Sequence, residues 1–232
     1  MSRAAQKFLP DILGVSVLVE NHKGAGGKIG IRHFLKQPAD GHTILVFGQP
    51  ALTIVQKKAP DLYQMDDFSY VNIQWVDPVI LLAHKDTGWK SLDDMVEAAR
   101  KEPGKYSFSL ADLTSTGAIM GQLLFKKLGL DIKSVPYDSG GSARTALRGH
   151  HVDMTAGGSK GARTVADVSV PLGVFWNSTV PSWPNAPLMN DALKKYNVTV
   201  PDAGSIRFFA MHTAFKENHP DRWKIIVDAF RK

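Results

Sequence analysis

The chain has 232 residues, 44% hydrophobic and 22% charged, a balance that excludes a disordered, fibrous or membrane-embedded protein and leaves room for one large α/β unit or two lobes. With no cysteine, disulfide frameworks, thiolate zinc sites, iron–sulfur clusters and cysteine nucleophiles are excluded. The net charge of +6 admits anionic partners, but the 28 Lys and Arg are scattered, Lys57-Lys58, Lys126-Lys127 and Lys194-Lys195 being short pairs, so no nucleic-acid arm is expected.

No signal peptide is expected at Met1 to Phe8, where no apolar run follows the first residues. Ala4, Phe8, Ile12 and Leu13 have helical spacing and Gly14 supplies a C-cap. Val15 to Val19 reads as a buried strand, followed by the glycine-rich loop Gly24 to Gly27 and a helical pattern through Ile29, Ile31, Phe34 and Leu35. After the turn Pro38 to Gly41, His42 to Phe47 reads as a strand closed by Gly48-Gln49-Pro50, completing a β–loop–α–β unit of the kind found in parallel sheets. Phe68 to His84 is a long extended region, within which Val76 to Ala83 is interrupted by Asp77 and Pro78 and is too short to span a bilayer.

Ser91 to Arg100 reads as a helix with Ser91 as N-cap and Asp93 and Asp94 in its first turn. Beyond Pro103-Gly104 the same grammar restarts. Strand Tyr106 to Leu110, loop Asp112 to Thr116 and helix Ala118 to Leu128 come first. Strand Lys133 to Tyr137, loop Asp138 to Gly141, helix Ala143 to Arg148, strand Val152 to Thr155 and loop Ala156 to Gly161 follow. Strands Leu172 to Trp176 and Ile206 to Met211, a helix at Leu188 to Tyr196, and a closing helix from Pro220 complete the chain. The repeat suggests two α/β lobes, residues 1–102 plus 207–232 and residues 103–206.

Most chemical motifs fail on inspection. The Gly24 to Gly30 loop lacks the acidic residue of a dinucleotide site, Phe47, Gly48 and Gln49 standing in its place, and Ile29 replaces the Ser or Thr of a Walker loop. The eight histidines show no H-E-x-x-H or other metal-ligand spacing, and no G-x-S-x-G nucleophile elbow is present, so no metal, cofactor or catalytic residue is expected.

Three loops are small and polar, each following a strand and preceding a helix: Thr114-Ser115-Thr116-Gly117, Ser139-Gly140-Gly141-Ser142 and Gly157-Gly158-Ser159. Caps and turns alone explain any one of them. Together with Gly48-Gln49-Pro50 they point to a carboxylate-binding cleft, because such loops gather at the carboxyl ends of strands, where helix N-termini offer N–H groups to anions.

Val17-Leu18-Val19-Glu20-Asn21-His22-Lys23-Gly24-Ala25-Gly26-Gly27-Lys28-Ile29-Gly30 and Pro38-Ala39-Asp40-Gly41-His42-Thr43-Ile44-Leu45 resemble the "VVENRPGAGG-IG … PADGYTLL" signature of the tripartite tricarboxylate transporter substrate-binding receptors, the TctC or Bug family. The resemblance continues through Asp77-Pro78-Val79, Lys90-Ser91-Leu92, Ser115-Thr116, Val135-Pro136-Tyr137 and Val152-Asp153. It implies an α/β fold of the two-lobed periplasmic flytrap type, each lobe a mixed, mainly parallel sheet covered by helices. It also implies a periplasmic receptor that hands a small carboxylate to a membrane permease, with no catalysis and no insertion into the membrane.

The positions carried over are Gln49, Pro50 and Ala51 in the first lobe, and Ser115, Thr116 and the loop after Tyr137 in the second. The expected ligand-binding set is therefore Gln49, Pro50, Ala51, Thr114, Ser115, Thr116, Gly117, Ser139, Gly140, Gly157 and Gly158, with Gly24 to Gly27 architectural and Asp112 repelling a carboxylate unless paired. Against the family the chain starts after the expected first strand and stops early at Lys232. The alternatives are an enzyme using the same cleft, or a receptor-like chain that no longer binds.

Overall fold

Helices and strands alternate along the chain in a computed structural model that describes residues 2–22, 24–111 and 115–232. Asp112 and Thr114, singled out above, lie outside the described residues. Helices α1 (Ser2–Leu13) and α2 (Lys28–Leu35) precede strand β1 (Leu45–Gln49), and α3 (Ala51–Lys58) leads to the long strand β2 (Phe68–His84). Next come α4 (Leu92–Lys101), β3 (Ser107–Leu110), α5 (Thr116–Leu128), β4 (Lys133–Pro136), α6 (Gly140–Arg148), β5 (Met154–Gly158) and α7 (Ser159–Ala162). Strand β6 (Ser169–Val174), α8 (Met189–Ala192), β7 (Gly204–His212), α9 (Thr213–Asn218) and α10 (Pro220–Ala229) complete the order. Among the described residues no helix is long and apolar enough to cross a membrane.

The chain divides into two compact units, Met1–Val76 with Ile206–Lys232, and Asp77–Ser205. The return to the first unit falls one residue from the expected position, but the first boundary lies at Val76 rather than after residue 102. Packing explains the difference. Leu92, Met95, Val96 and Ala99 of α4 are buried with Phe108, Leu124 and Met154, so α4 joins the core that follows it rather than the one that precedes it.

In the first unit β1 pairs antiparallel with β7, Phe47 opposite Phe208 and Gln49 opposite Ile206, and β2 flanks β7 on its other side. Alternation along β7 feeds both faces: Phe208 packs with Ile31 and Phe34 of α2 and Leu52 of α3, while Phe209 and Met211 pack with Phe215, Trp223 and Ile226. Within the glycine-rich loop, Gly27 has a packing role. Gly27 has φ +97°, and a Cβ there would enter the Phe47 ring, so α2 approaches β1 only over glycine.

In the second unit β2 pairs antiparallel with β5 on one edge, Leu81 opposite Ala156, and with β6 on the other, Leu82 opposite Pro171. Strand β3 runs parallel to both β5 and β4. The sheet is mixed, and among the described strand pairs only those of β3 with its two neighbours are parallel, apart from an isolated parallel bridge of Val174 with Leu188, which corrects the mainly parallel expectation. The reason is that β2 enters between β5 and β6 with the opposite sense, and β7 meets β1 likewise.

Several local expectations also change. Val15 to Val19 is not a strand: Val15 and Leu18 are exposed, the segment carries no regular secondary structure, and no strand among the described residues pairs with it. β-branching favours an extended backbone, but a sheet needs a partner. The β–loop–α–β unit read from it is therefore not formed. The loop read at Ala156 to Gly161 is instead the end of β5 followed by α7, because Gly157 and Gly158 pair with Ile80 and Val79 of β2. Helix α3 was missed altogether. The helix read over Leu188 to Tyr196 is α8 followed by a 3-10 turn at Lys194–Tyr196.

Candidate functional site

Strands β5, β3 and β4 are adjacent and parallel, so their carboxyl ends lie on one edge of the second unit's sheet, where Ser115, Ser139 and the Gly157-Gly158 end of β5 fall. After β3, Ser115 is the N-cap of α5 and its Oγ accepts the Ala118 N–H at 3.3 Å, with Thr116 in the first helical turn. After β4, Ser139 and Ser142 form a capping box on α6: Ser139 Oγ accepts the Ser142 N–H at 3.2 Å, and Ser142 Oγ accepts the Ser139 N–H at 3.1 Å. The cap takes the N–H of Ser142 and leaves those of Gly140 and Gly141 at the positive end of the helix dipole. Replacing Ser139 by Ala is expected to cost about 1 kcal/mol of the second unit's stability, read from a urea transition.

Gly117 and Gly158 are both closely packed. A Cβ on Gly117 would overlap the Ala156 carbonyl oxygen and stand 2.9 Å from Gly157 N, so Gly117 is the point at which α5 touches β5. A Cβ on Gly158 would overlap the Asp77 carboxylate. Gly157 faces open space, with no atom within 4 Å of the place a Cβ would take.

Asp77 was read in the sequence as an interruption of an apolar run and as part of the family resemblance, with no structural role assigned, yet it anchors this edge. It is 5% exposed, and its Oδ1 accepts from Ser159 Oγ at 2.8 Å and from Lys160 N at 3.1 Å. Ser182 Oγ lies 2.9 Å from Ser159 Oγ, and the Trp183 indole N–H donates to Ser159 O at 2.8 Å. No short-range pattern signals this role, because Asp77 and Ser159 are 82 residues apart.

Two cations were also missed. Arg144, on α6, lies over Gly140 and Gly161, its Nη1 3.2 and 3.3 Å from where a Cβ would stand on each, and its Nε donates to Thr164 Oγ1 at 3.2 Å. It borders an open cavity of about 280 Å³ shared with Gly141, Thr145, Arg148, Thr164 and Val165. Arg148 is held by Asp167 in a two-pronged ion pair of 2.8 and 2.9 Å, which keeps that carboxyl below its ordinary range. No carboxylate among the described residues pairs with Arg144.

In the first unit, Gln49 ends β1 and Pro50 and Ala51 open α3. The Gln49 side-chain oxygen turns inward, accepting from Thr53 Oγ1 at 2.9 Å and Thr53 N at 3.3 Å. Only its amide N–H₂ remains for another partner. The guanidinium of Arg207 lies over neighbouring Gly48, which has no side chain to obstruct it. A signal for Arg207 was present in the sequence as the one charge in the apolar run Ile206 to Met211.

The fold is that of the periplasmic binding proteins. MatC from Rhodopseudomonas palustris with bound malate superposes with a TM-score of 0.79 at 22% identity, covering 100% of this chain and 79% of that one. R. palustris Rpa4515 with adipate gives 0.79 at 22% identity, covering 99% and 77%. The family model described as tripartite tricarboxylate transporter family receptor, TctC, matches residues 1–200, and the chain belongs to that family. A protein from the tcbD-tcbE intergenic region of Pseudomonas sp. strain P51 is 30% identical over 196 residues, 83% of this chain and 58% of the relative. The chain spans about half the length of the curated relatives it matches.

Proposed function

We propose that this chain is a solute-binding receptor, not an enzyme, which captures a small carboxylate and delivers it to the membrane permease of a tripartite transporter. The observation that carries the reading is the edge of the second unit, where helix N-termini at Ser115 and Ser139 follow the adjacent strands β3 and β4, and Arg144, on the second of these helices, has no acidic partner among the described residues. Family membership supports a periplasmic location and a permease partner. The malate and adipate of the two structural neighbours support a dicarboxylate ligand.

In this reading Gln49, Pro50 and Ala51 contribute from the first lobe, and Ser115, Thr116, Ser139, Gly140 and Gly157 from the second. Gly117 and Gly158 shape the site through packing, and no cofactor is required.

The test is calorimetric titration of the chain with malate, adipate and succinate, repeated on Gly157→Val. Valine at 157 enters open space on a strand and removes no cap, so the fold is expected to keep its melting midpoint. Affinity for the bound dicarboxylate is expected to fall by roughly tenfold or more as the side chain occupies ligand volume. A folded chain that binds no carboxylate, or a Gly157→Val variant of unchanged affinity, argues against the reading.

A further inference from the structure

Among the described residues, two groups of imidazoles and carboxylates come together. Glu20, His22 and His33 lie on the exposed segment before α2 and on α2 itself, with the Gln37 amide nitrogen 3.3 Å from His33 Nε2. His84, Asp86 and His150 are seated more firmly. His84 ends β2 and is 4% exposed, and Asp86 and His150 are exposed beside it.

We infer that His84, Asp86 and His150 form a binding site for one late first-row divalent cation of the Zn²⁺ class. One nitrogen from each ring and one carboxylate oxygen lie within 4.8 Å of one another. His84 Nδ1 and Asp86 Oδ2 are 3.7 Å apart, close to the roughly 3.4 Å that separates two ligand atoms across a tetrahedral zinc ion. Two imidazoles with one carboxylate is a borderline donor set that such ions favour over Mg²⁺ or Ca²⁺, and it leaves a fourth position for water. The rings of His84 and His150 stack at 4.1 Å and 17°, which leaves their in-plane lone pairs nearly parallel, so binding one ion requires the more exposed His150 ring to rotate toward it. The ion displaces one long hydrogen bond, from Asp86 N to His84 Nδ1 at 3.2 Å.

Two further features support the site. Asp153 Oδ1 lies 3.4 Å from His150 Nε2, and Asp153 is itself fixed by Ser107, whose N and Oγ both donate to its Oδ2 at 2.8 Å. A carboxylate behind a ligating histidine is the usual outer support of a metal site. The backbone at His150 is the second feature. Helix α6 closes with His150 N donating to Leu147 O and His151 N to Ala146 O, both at 2.9 Å, and His150 sits at φ +53° in the position where glycine is the ordinary choice. An imidazole is thus held where the backbone favours no side chain, facing a second imidazole and two carboxylates.

The site stands apart from the solute-binding reading and is tested without it. The full chain, free of any affinity tag and carrying His33→Ala to remove the other group, is treated with chelator and titrated with ZnCl₂ by calorimetry, then with Co²⁺ by visible absorption. One Zn²⁺ per chain and the intense bands of tetrahedral Co²⁺ are expected. Asp86→Ala and His150→Gly are each expected to weaken Zn²⁺ binding by roughly tenfold or more. His150→Gly relaxes the backbone, so an unchanged circular dichroism spectrum shows that the loss is not unfolding. Absence of saturable Zn²⁺ binding, or an affinity insensitive to either substitution, overturns the inference.

Discussion

Asp77→Ala lowers the unfolding free energy of the second unit by about 3 kcal/mol, because two donors lose a charged acceptor in a place water does not reach. Ser159 is 1% exposed and Lys160 N opens α7, so neither finds a substitute without local opening. The damage spreads along the chain of contacts that Ser159 makes to Ser182 and Trp183. Asp77→Asn keeps one acceptor and falls between wild type and alanine. Urea unfolding followed by tryptophan fluorescence measures both, and a loss under about 0.5 kcal/mol for alanine would show that the carboxylate does not anchor this edge.

Gly117→Ala is the second substitution with a large expected effect, about 3 kcal/mol. The added methyl meets the Ala156 carbonyl, a backbone atom in a strand paired to β2, so no side chain can swing aside. Helix α5 must lift from β5, carrying Ser115 and Thr116 with it. Carboxylate affinity is therefore expected to fall along with stability. Gly141→Ala is the comparison: its Cβ meets only Ser139 Oγ at 3.5 Å, an ordinary contact, and stability there stays within about 0.5 kcal/mol. Equal losses for the two would remove the close approach as the cause.

What the sequence disclosed followed how local each signal was. Ser91 marks a helix start because its capping hydroxyl bonds within three residues, and Pro220 opens α10 for the same local reason, whereas α5 and α6, read from Ala118 and Ala143, begin earlier, at Thr116 and Gly140. The polar loops could be placed because strand–loop–helix grammar fixes where such loops fall. Gly157 and Gly158 misled, since a Gly-Gly pair signals a turn and only the partner strand β2 makes it a strand. Val15 to Val19 misled in the opposite direction. Asp77 with Ser159, and His84 with His150, are pairs made by the sheet across long sequence distances, and no window of neighbouring residues contains them.

Strand β2 imposes an order of events during synthesis. Its apolar stretch Val79 to Ala83 leaves the ribosome long before either of its partners, which end at Gly158 and Val174. At translation rates of about 5–20 residues per second, that stretch waits on the order of several seconds for the chain that will cover it. Helix α4 is the first element able to shield one face, and the two hydrogen-bonding edges stay open until β5 and β6 emerge. During that interval the nascent chain presents an apolar strand with two unpaired edges to its surroundings.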